Sequence, residues 1–397
     1  MEFINKENVI ELLSKLVKIK SVYLDEDEIM EYVYELLKDS KIDAHIQNYS
    51  EEKILNYNGK NILGTIEGAE KGPVIYLNGH LDTVQITNGW DTDPLDPIIK
   101  GDKLYGVGTL DMKSGVVAII LALKEFQKNH EKFKGKILYS FVSDEEGPYG
   151  LGTDAVINAG FAKEADVAII TEPSSGFSDV KFPCLSLGAR GGFSYKVEFF
   201  GKAAHGANPE KGISAILDAS KFAIELKKVE LPYEKMLGSG SNCVVEINGG
   251  GASCSVADYA YVKVFRHINM EENKETIIKE IENVINKIDI KSTYNIEFRK
   301  SPSKETEGFL SYLVDKEDKY VEKFISSIKN ITEDELTINY FSSIGDFNYV
   351  GSRLDIPTIV FGASGENYHS PNEYVSIDSI IKTSEVVYDY FEKLLSI

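Results

Sequence analysis

Arginine is scarce in this chain of 397 residues: Arg190, Arg266, Arg299 and Arg353 stand against 63 Asp and Glu, and the net charge is -20. Binding a phosphate backbone requires a basic stripe, so the composition excludes nucleic acid as a partner. The same acidity repels small anions, so any bound carboxylate has to meet a local positive charge. Cysteine is scarce too. Cys184, Cys243 and Cys254 are odd in number and lack C-x-x-C spacing, which excludes a disulfide framework and predicts reduced thiols in the cytoplasm. No apolar run reaches the roughly 18 residues of a membrane span. The first twenty residues interleave Ile4, Val9, Leu12, Leu13 and Leu16 with Glu7, Glu11 and Lys15, the pattern of an amphipathic helix rather than a secretory signal. Low-complexity tracts and repeats at a solenoid period are absent as well.

What is present is the composition of a globular protein, 43% hydrophobic and 27% charged, with a length that predicts two domains. From Asn61 to about Ile170, short apolar runs alternate with helical patterns: Asn61 to Ile66, Val74 to Leu77, Ile137 to Val142 and Asp166 to Ile170 read as strands, and Ser114 to Phe126 as a helix. That alternation predicts an α/β domain with a mostly parallel sheet flanked by helices. Between Leu185 and Arg299 the texture changes. Phe193 to Phe200 alternates like a half-exposed strand, Gly212 to Lys228 and Glu271 to Ile288 are helical, and Cys243 to Ile247 and Ala260 to Phe265 read as strands. The strand Pro357 to Phe361 then resumes the first pattern. The reading is a discontinuous domain over 1–184 and 299–397, interrupted by an inserted α+β sandwich domain over 185–298.

Acidic and histidine residues gather where these elements end or begin. His80 and Asp82 follow one strand and, two apart in extended chain, point the same way. Glu145 and Glu146 follow a second strand, Glu172 a third, and His369 the last, while Asp111 opens the Ser114 helix. Taken singly, a histidine at a strand end is an ordinary hydrogen-bonded residue, paired glutamates are a solvated loop, and Asp111 is a helix cap. Taken together they share one edge, because ligands of an open α/β sheet bind at the carboxyl ends of its strands. Two histidines and three carboxylates suit Zn²⁺, Co²⁺ or Mn²⁺, and one carboxylate with both oxygens free can bridge two ions roughly 3.5 to 4 Å apart. Gly106-Val-Gly108 is not a nucleotide fingerprint: the third glycine position is Asp111 and no strand feeds directly into it.

Six ordered segments carry a resemblance: His80-Leu-Asp-Thr-Val84, Gly106 to Gly115, Asp144-Glu-Glu-Gly147, Thr171-Glu-Pro173, Gly201 to Gly206, and His369-Ser-Pro-Asn-Glu-Tyr374. They resemble the motifs of the family of aminoacylases, acetylornithine deacetylases, succinyl-diaminopimelate desuccinylases and glutamate carboxypeptidases, over nearly the whole chain. The resemblance implies two divalent metal ions, zinc first with cobalt or manganese as alternatives. His80 and Glu172 would hold one, Glu146 and His369 the other, and Asp111 would bridge them. It implies Glu145 as general base, and a cis peptide after Asp111. The expected chemistry is hydrolysis of an amide by a hydroxide shared between the metals, with Glu145 taking the water's proton and passing it to the leaving amine. Asp82 is expected to accept the outer N–H of His80.

By the same resemblance, His205 reaches a neighbouring active site across a homodimer interface formed by the inserted domain, and stabilises the oxyanion. Arg266 matches a position where the family has an arginine for a substrate carboxylate. Close by, the chain departs from the family: Cys254-Ser-Val-Ala257 replaces an Asn-Val-Val-Pro-like segment. Arg190 matches the start of the lid and is equally open to a structural role, whereas His45, His130 and His267 match no motif. The leading expectation is an N-acyl-amino-acid deacylase of the acetylornithine or succinyl-diaminopimelate type, because Ser343 to Asn348 resembles a segment of acyl-lysine and acyl-ornithine deacylases. A metallo-carboxypeptidase or dipeptidase with the same site is the alternative, and a non-catalytic metal-binding protein a third. The substrate would be a small N-acyl amino acid or dipeptide, with neither nucleic acid nor membrane as a partner.

Overall fold

The computed structural model describes residues 1–397. The chain divides into two compact units: Met1–Gly188 with Leu313–Phe341 and Gly345–Ile397, and Ala189–Tyr312 with Ser342–Ile344. The expected insertion over 185–298 stops short of the second unit's last strand, Gly308–Phe309, which pairs with Gly191–Phe200. That strand is two residues long and has no period to read.

In the first unit, Lys134–Val142, Glu70–His80, Val167–Ile170 and Thr358–Val360 lie side by side in parallel. Continuous apolar runs such as Val167-Ala-Ile-Ile170, buried at every position, suit parallel strands covered on both faces. The flanks are antiparallel: Tyr57–Glu67 runs against Lys134–Val142, His45–Glu51 against Tyr57–Glu67, and Cys184–Ala189 against Thr358–Val360. The sheet is therefore mixed, parallel only at its centre. The helix Ser114–Asn129 makes the crossover from Glu70–His80 to Lys134–Val142. It is apolar nearly all round, from Val116 to Phe126, because it lies between the sheet and the last helix, Ile377–Leu395. Parallel register then brings the strands' carboxyl ends to one edge, with His80 opposite Val142, Asn78 opposite Ile170, and Ile170 opposite Val360.

The second unit is an antiparallel sheet in the order Ser241–Gly250, Tyr259–Ile268, Gly191–Phe200, Thr293–Phe298, with Gly308–Phe309 also paired to Gly191–Phe200. Period-two alternation sends Phe193, Tyr195, Val197 and Phe199 to one face, where they pack with Ala260, Val262 and Val264. The helices Ala215–Leu226 and Lys274–Lys287 cover that face through Ala219, Phe222, Ile277 and Ile281. Both helices are capped. Ser214 accepts the Leu217 N–H, and Asn273 and Thr276 form a reciprocal capping box. Ser241–Gly250 forms one edge of this sheet and exposes Val244, Val245 and Ile247.

Candidate metal centre

His80 ends its strand with its imidazole buried, and its two ring nitrogens face opposite ways. Nδ1 lies 3.0 Å from the main-chain carbonyl of Asp82, while the Asp82 carboxylate stands off at 3.6 Å. The main-chain carbonyl of Asp82 is thus the nearer outer partner of the ring, with the Asp82 carboxylate beside it. The Asp82 carboxylate also accepts the N–H groups of Glu145 (3.2 Å) and Glu146 (2.9 Å). On the inner side, His80 Nε2 is 3.2 Å from Asp111 Oδ1, 3.3 Å from Glu172 Oε1 and 3.8 Å from Glu145 Oε2.

Asp111 precedes a cis peptide bond to Met112. Its second oxygen, Oδ2, lies 3.1 Å from His369 Nε2, which is itself 3.0 Å from the Glu146 carboxylate. Asp111 therefore stands between the two imidazoles with one oxygen toward each. Glu145 differs from its neighbours. Its Oε1 accepts the Asp346 N–H at 3.0 Å, and its Oε2 faces His80.

Four carboxylates packed around two imidazoles make a site short of positive charge. Burial, together with the nearby Asp111 carboxylate, pushes Glu146 up to about 7. Burial likewise raises Glu172 to about 8, against the pull of His80. For His369, burial opposes the charged ring, but Asp111 and Glu146 outweigh it and bring the imidazole to about 11. Glu172 Oε2 is buried with no hydrogen-bond partner. An acceptor left bare at that depth costs free energy unless a cation meets it. The donor atoms of His80, Asp111 and Glu146, and those of His80, Glu145 and Glu172, each gather within 4.8 Å of one another. This oxygen and nitrogen set fits divalent metal ions of the zinc, cobalt and manganese type.

Comparison with known proteins agrees with that chemistry. The sequence profile of peptidase family M20/M25/M40 matches residues 76–393. The chain belongs to this family. Its members are metal-dependent hydrolases, so this M20 chain is an enzyme. It is 27% identical over 386 residues to the succinyl-diaminopimelate desuccinylase of Sulfurovum sp. (strain NBC37-1), covering 96% of this chain and 97% of that one. The enzyme of the same name from Nautilia profundicola is 28% identical over 389 residues, covering 97% and 99%. Among solved structures, aminopeptidase PepT from Bacillus cereus ATCC 10987 superposes with a TM-score of 0.80 at 20% identity over 98% of this chain and 99% of that one. The M20 metallo-carboxypeptidase Sso-CP2 from Sulfolobus solfataricus gives 0.76 at 16% identity, over 97% and 98%. These last two likenesses are of fold.

Three further residues hold the ligand loops, and the sequence reading missed their parts. Glu373, buried, accepts the N–H groups of Gly108 (2.8 Å), Leu110 (2.8 Å) and Asp111 (3.1 Å). Asp346 gives its amide to Glu145, and its carboxylate takes the Thr153 hydroxyl. Glu26 accepts the Asp144 N–H. Within the His369 to Tyr374 motif, the signal for Glu373 was its neighbourhood to His369.

The remaining expected site residues belong to the second unit. His205 is exposed, and its Nδ1 accepts the Ala207 N–H at 3.1 Å, which leaves the ring proton on Nε2. Arg190 Nε donates to the Leu237 carbonyl at 2.8 Å. Arg266 departs from expectation. Its guanidinium is fully buried and bonds to Glu272, to Glu280 (2.9 Å) and to the His267 carbonyl, so it is not presented to a substrate carboxylate. The reason is register: positions 262, 264, 266 and 268 share the face that the helices cover, so Arg266 points beneath the Lys274–Lys287 helix.

Proposed function

We propose that this M20 enzyme hydrolyses the amide bond of an N-acyl amino acid, of the succinyl-diaminopimelate or acetylornithine type, with Glu145 as general base. The observation that carries the reading is Glu145 itself: one oxygen is anchored on the Asp346 amide and the other faces the His80 cluster. In this reading His80 and Glu172 would hold one ion, His369 and Glu146 the second, and Asp111 would serve both. Bound divalent ions, zinc first with cobalt or manganese as alternatives, would supply Lewis acidity toward the carbonyl and acidify a water molecule. Glu145 takes the proton of the attacking water as the water's oxygen adds to the carbonyl carbon. The same carboxyl group then returns the proton to the nitrogen as the C–N bond breaks, giving a carboxylic acid and an amine, and the acid's proton passes to the amine to leave a carboxylate and an ammonium ion. Burial raises the Glu145 pKa above the usual carboxylate range.

The curated desuccinylases, similar over nearly the whole chain, support the acyl-amino-acid reading over the alternative of a metallo-carboxypeptidase or dipeptidase. A non-catalytic role would leave an anchored carboxylate beside a metal site without use. His205, with its proton on Nε2, suits the donor role toward a tetrahedral oxyanion. A homodimer through the second unit, the lid and dimerisation domain of this reading, is supported by the edge strand Ser241–Gly250 with Val245 and Ile247 exposed, and by Leu217 and Ile224 exposed on the helix Ala215–Leu226. Three free thiols fit a cytoplasmic protein, and no helix is long and apolar enough to cross a membrane. Arg266 is reassigned as the ionic brace of the second unit.

The test is a panel of N-succinyl-diaminopimelate, N-acetylornithine, N-acyl-lysine and simple dipeptides with Zn²⁺ or Co²⁺. We expect an acyl amino acid to be turned over fastest, and Glu145→Gln to lose roughly 10³-fold in kcat or more while keeping its metal. Preference for dipeptides would transfer the reading to the peptidase alternative, and an active Glu145→Gln enzyme would remove the base.

A further inference from the structure

Glu26 lies outside every segment that carries the family resemblance. It immediately precedes the helix Asp27–Asp39 but makes no side-chain cap bond to it. The side chain turns inward, where the residue is 2% exposed. One oxygen accepts the N–H groups of Leu24 (2.7 Å) and Asp144 (3.1 Å), and the other accepts the Tyr57 hydroxyl (2.7 Å). With Asp82 taking the amides of Glu145 and Glu146, three successive N–H groups of one loop are handed to two carboxylates.

That loop has no regular structure to define its course. Asp144 is held at φ +57, a left-handed conformation that a non-glycine residue adopts only when its surroundings fix it. The chain then folds closely over Asp144: a Cβ at Gly147 would come within 1.8 Å of the Asp144 carboxylate. The orientation of the peptide at Asp144 determines where the next two side chains point, and those are Glu145 and Glu146. The Glu26 acceptor, contributed from 118 residues upstream, fixes that peptide. We infer that Glu26 is a positioning residue for hydrolysis, holding the loop so that Glu145 and Glu146 reach their places. The inference rests on the assignment of Glu145 as base.

The test compares Glu26→Met, Glu26→Gln and Glu26→Asp in metal-loaded enzyme, using the best substrate of the panel. Methionine fills the space and accepts nothing, so at saturating metal kcat should fall ~30- to 100-fold, with KM within threefold; a displacement of an ångström costs on that order. Glutamine keeps the oxygen for the two amides and can donate to the Tyr57 oxygen, so its kcat should stay within about threefold of wild type. Amide exchange over residues 143–147 should rise about tenfold in Glu26→Met and stay unchanged in Glu26→Gln, a readout independent of turnover. Wild-type kcat or unchanged exchange in Glu26→Met, or an equal loss in Glu26→Gln, overturns the inference. Should Glu26→Met not fold, Glu26→Asp, with its acceptor drawn back by one methylene, carries the test: about a tenfold loss of kcat supports it and a wild-type value overturns it. Glu145→Gln, run alongside, separates the two ideas. Activity in that variant defeats the base, whereas inactivity there with a normal Glu26→Met defeats only the positioning role.

Discussion

Replacing Arg266 by methionine separates two incompatible jobs for that residue. The guanidinium joins Glu272, Glu280 and the His267 carbonyl, and the two carboxylates are only 6% and 12% exposed. Removing one partner of a buried ion pair costs about 3–5 kcal/mol, because the charge left behind has neither water nor a counter-ion. The lower end applies here. Glu272 still accepts the Asn269 N–H at 2.8 Å, and Glu280 the Asn242 amide at 2.8 Å, so each keeps a partner after the substitution. With a shift of roughly 4 °C per kcal/mol for a unit of this size, the melting transition of the second unit should drop by about 12 °C in scanning calorimetry. The fall should ease when Glu272 and Glu280 are changed to glutamine in the same chain, since uncharged amides cost less to leave without the guanidinium. At temperatures where the variant is folded, KM should remain near wild type. The opposite pattern, an unshifted transition with KM raised a hundredfold or more, would show that Arg266 grips substrate and would refute the structural assignment.

Two further predictions concern the metal loop and the sheet edge. Glu373→Gln sets an amide N–H₂ against the N–H of one of the three residues that Glu373 now satisfies, Gly108, Leu110 or Asp111. Metal affinity measured by chelator competition should weaken about 10- to 100-fold, and an unchanged affinity would remove Glu373 from the support of Asp111. Val245→Lys with Ile247→Lys places two charges on the exposed edge strand. In sedimentation velocity this should convert a dimer to a monomer with the fold intact, whereas a wild-type protein that already sediments as a monomer would defeat the dimer.

The residues legible in the sequence were those whose chemistry coincides with a local pattern. His80, Glu145 and Glu172 follow apolar runs that end at one sheet edge, and the period of those runs is readable without any long-range contact. Asp82 was legible through its proximity to His80, but its second task was not, because folding also carries the carboxylate to amides 63 and 64 residues away. The parts of Glu26 and Glu373 were missed for the same reason: they accept main-chain N–H groups on distant loops, and Asp346 donates its own main-chain N–H to Glu145; a main-chain donor leaves no trace in residue type. Arg266 was misread despite a usable signal. The alternation Val262, Val264, Arg266, Ile268 puts it on the core side of its strand, where a charge has to find buried partners.

The carboxylates around the centre divide by what they face, and the division bears on which of them hold metal. Asp82, Glu26 and Glu373 each accept two or three hydrogen bonds, mostly from main-chain amides, and such bonds fix the orientation of a buried carboxyl group without any cation. Asp111, Glu146 and Glu172 face the imidazoles of His80 and His369. Histidines are themselves metal donors, so this second group lies where a cation would be shared. Glu145 belongs to neither group, with one oxygen on the Asp346 amide and one toward His80. Its Oε2 also gathers with the donor atoms of His80 and Glu172, so what sets Glu145 apart is the fixed orientation that its other oxygen takes from the Asp346 amide, which is what the proposed general base requires. Exchanging the character of Glu145 and Glu146 by substitution would therefore harm different quantities. Loss of the Glu146 carboxylate should lower metal affinity, and loss of the Glu145 carboxylate should lower turnover at full metal occupancy.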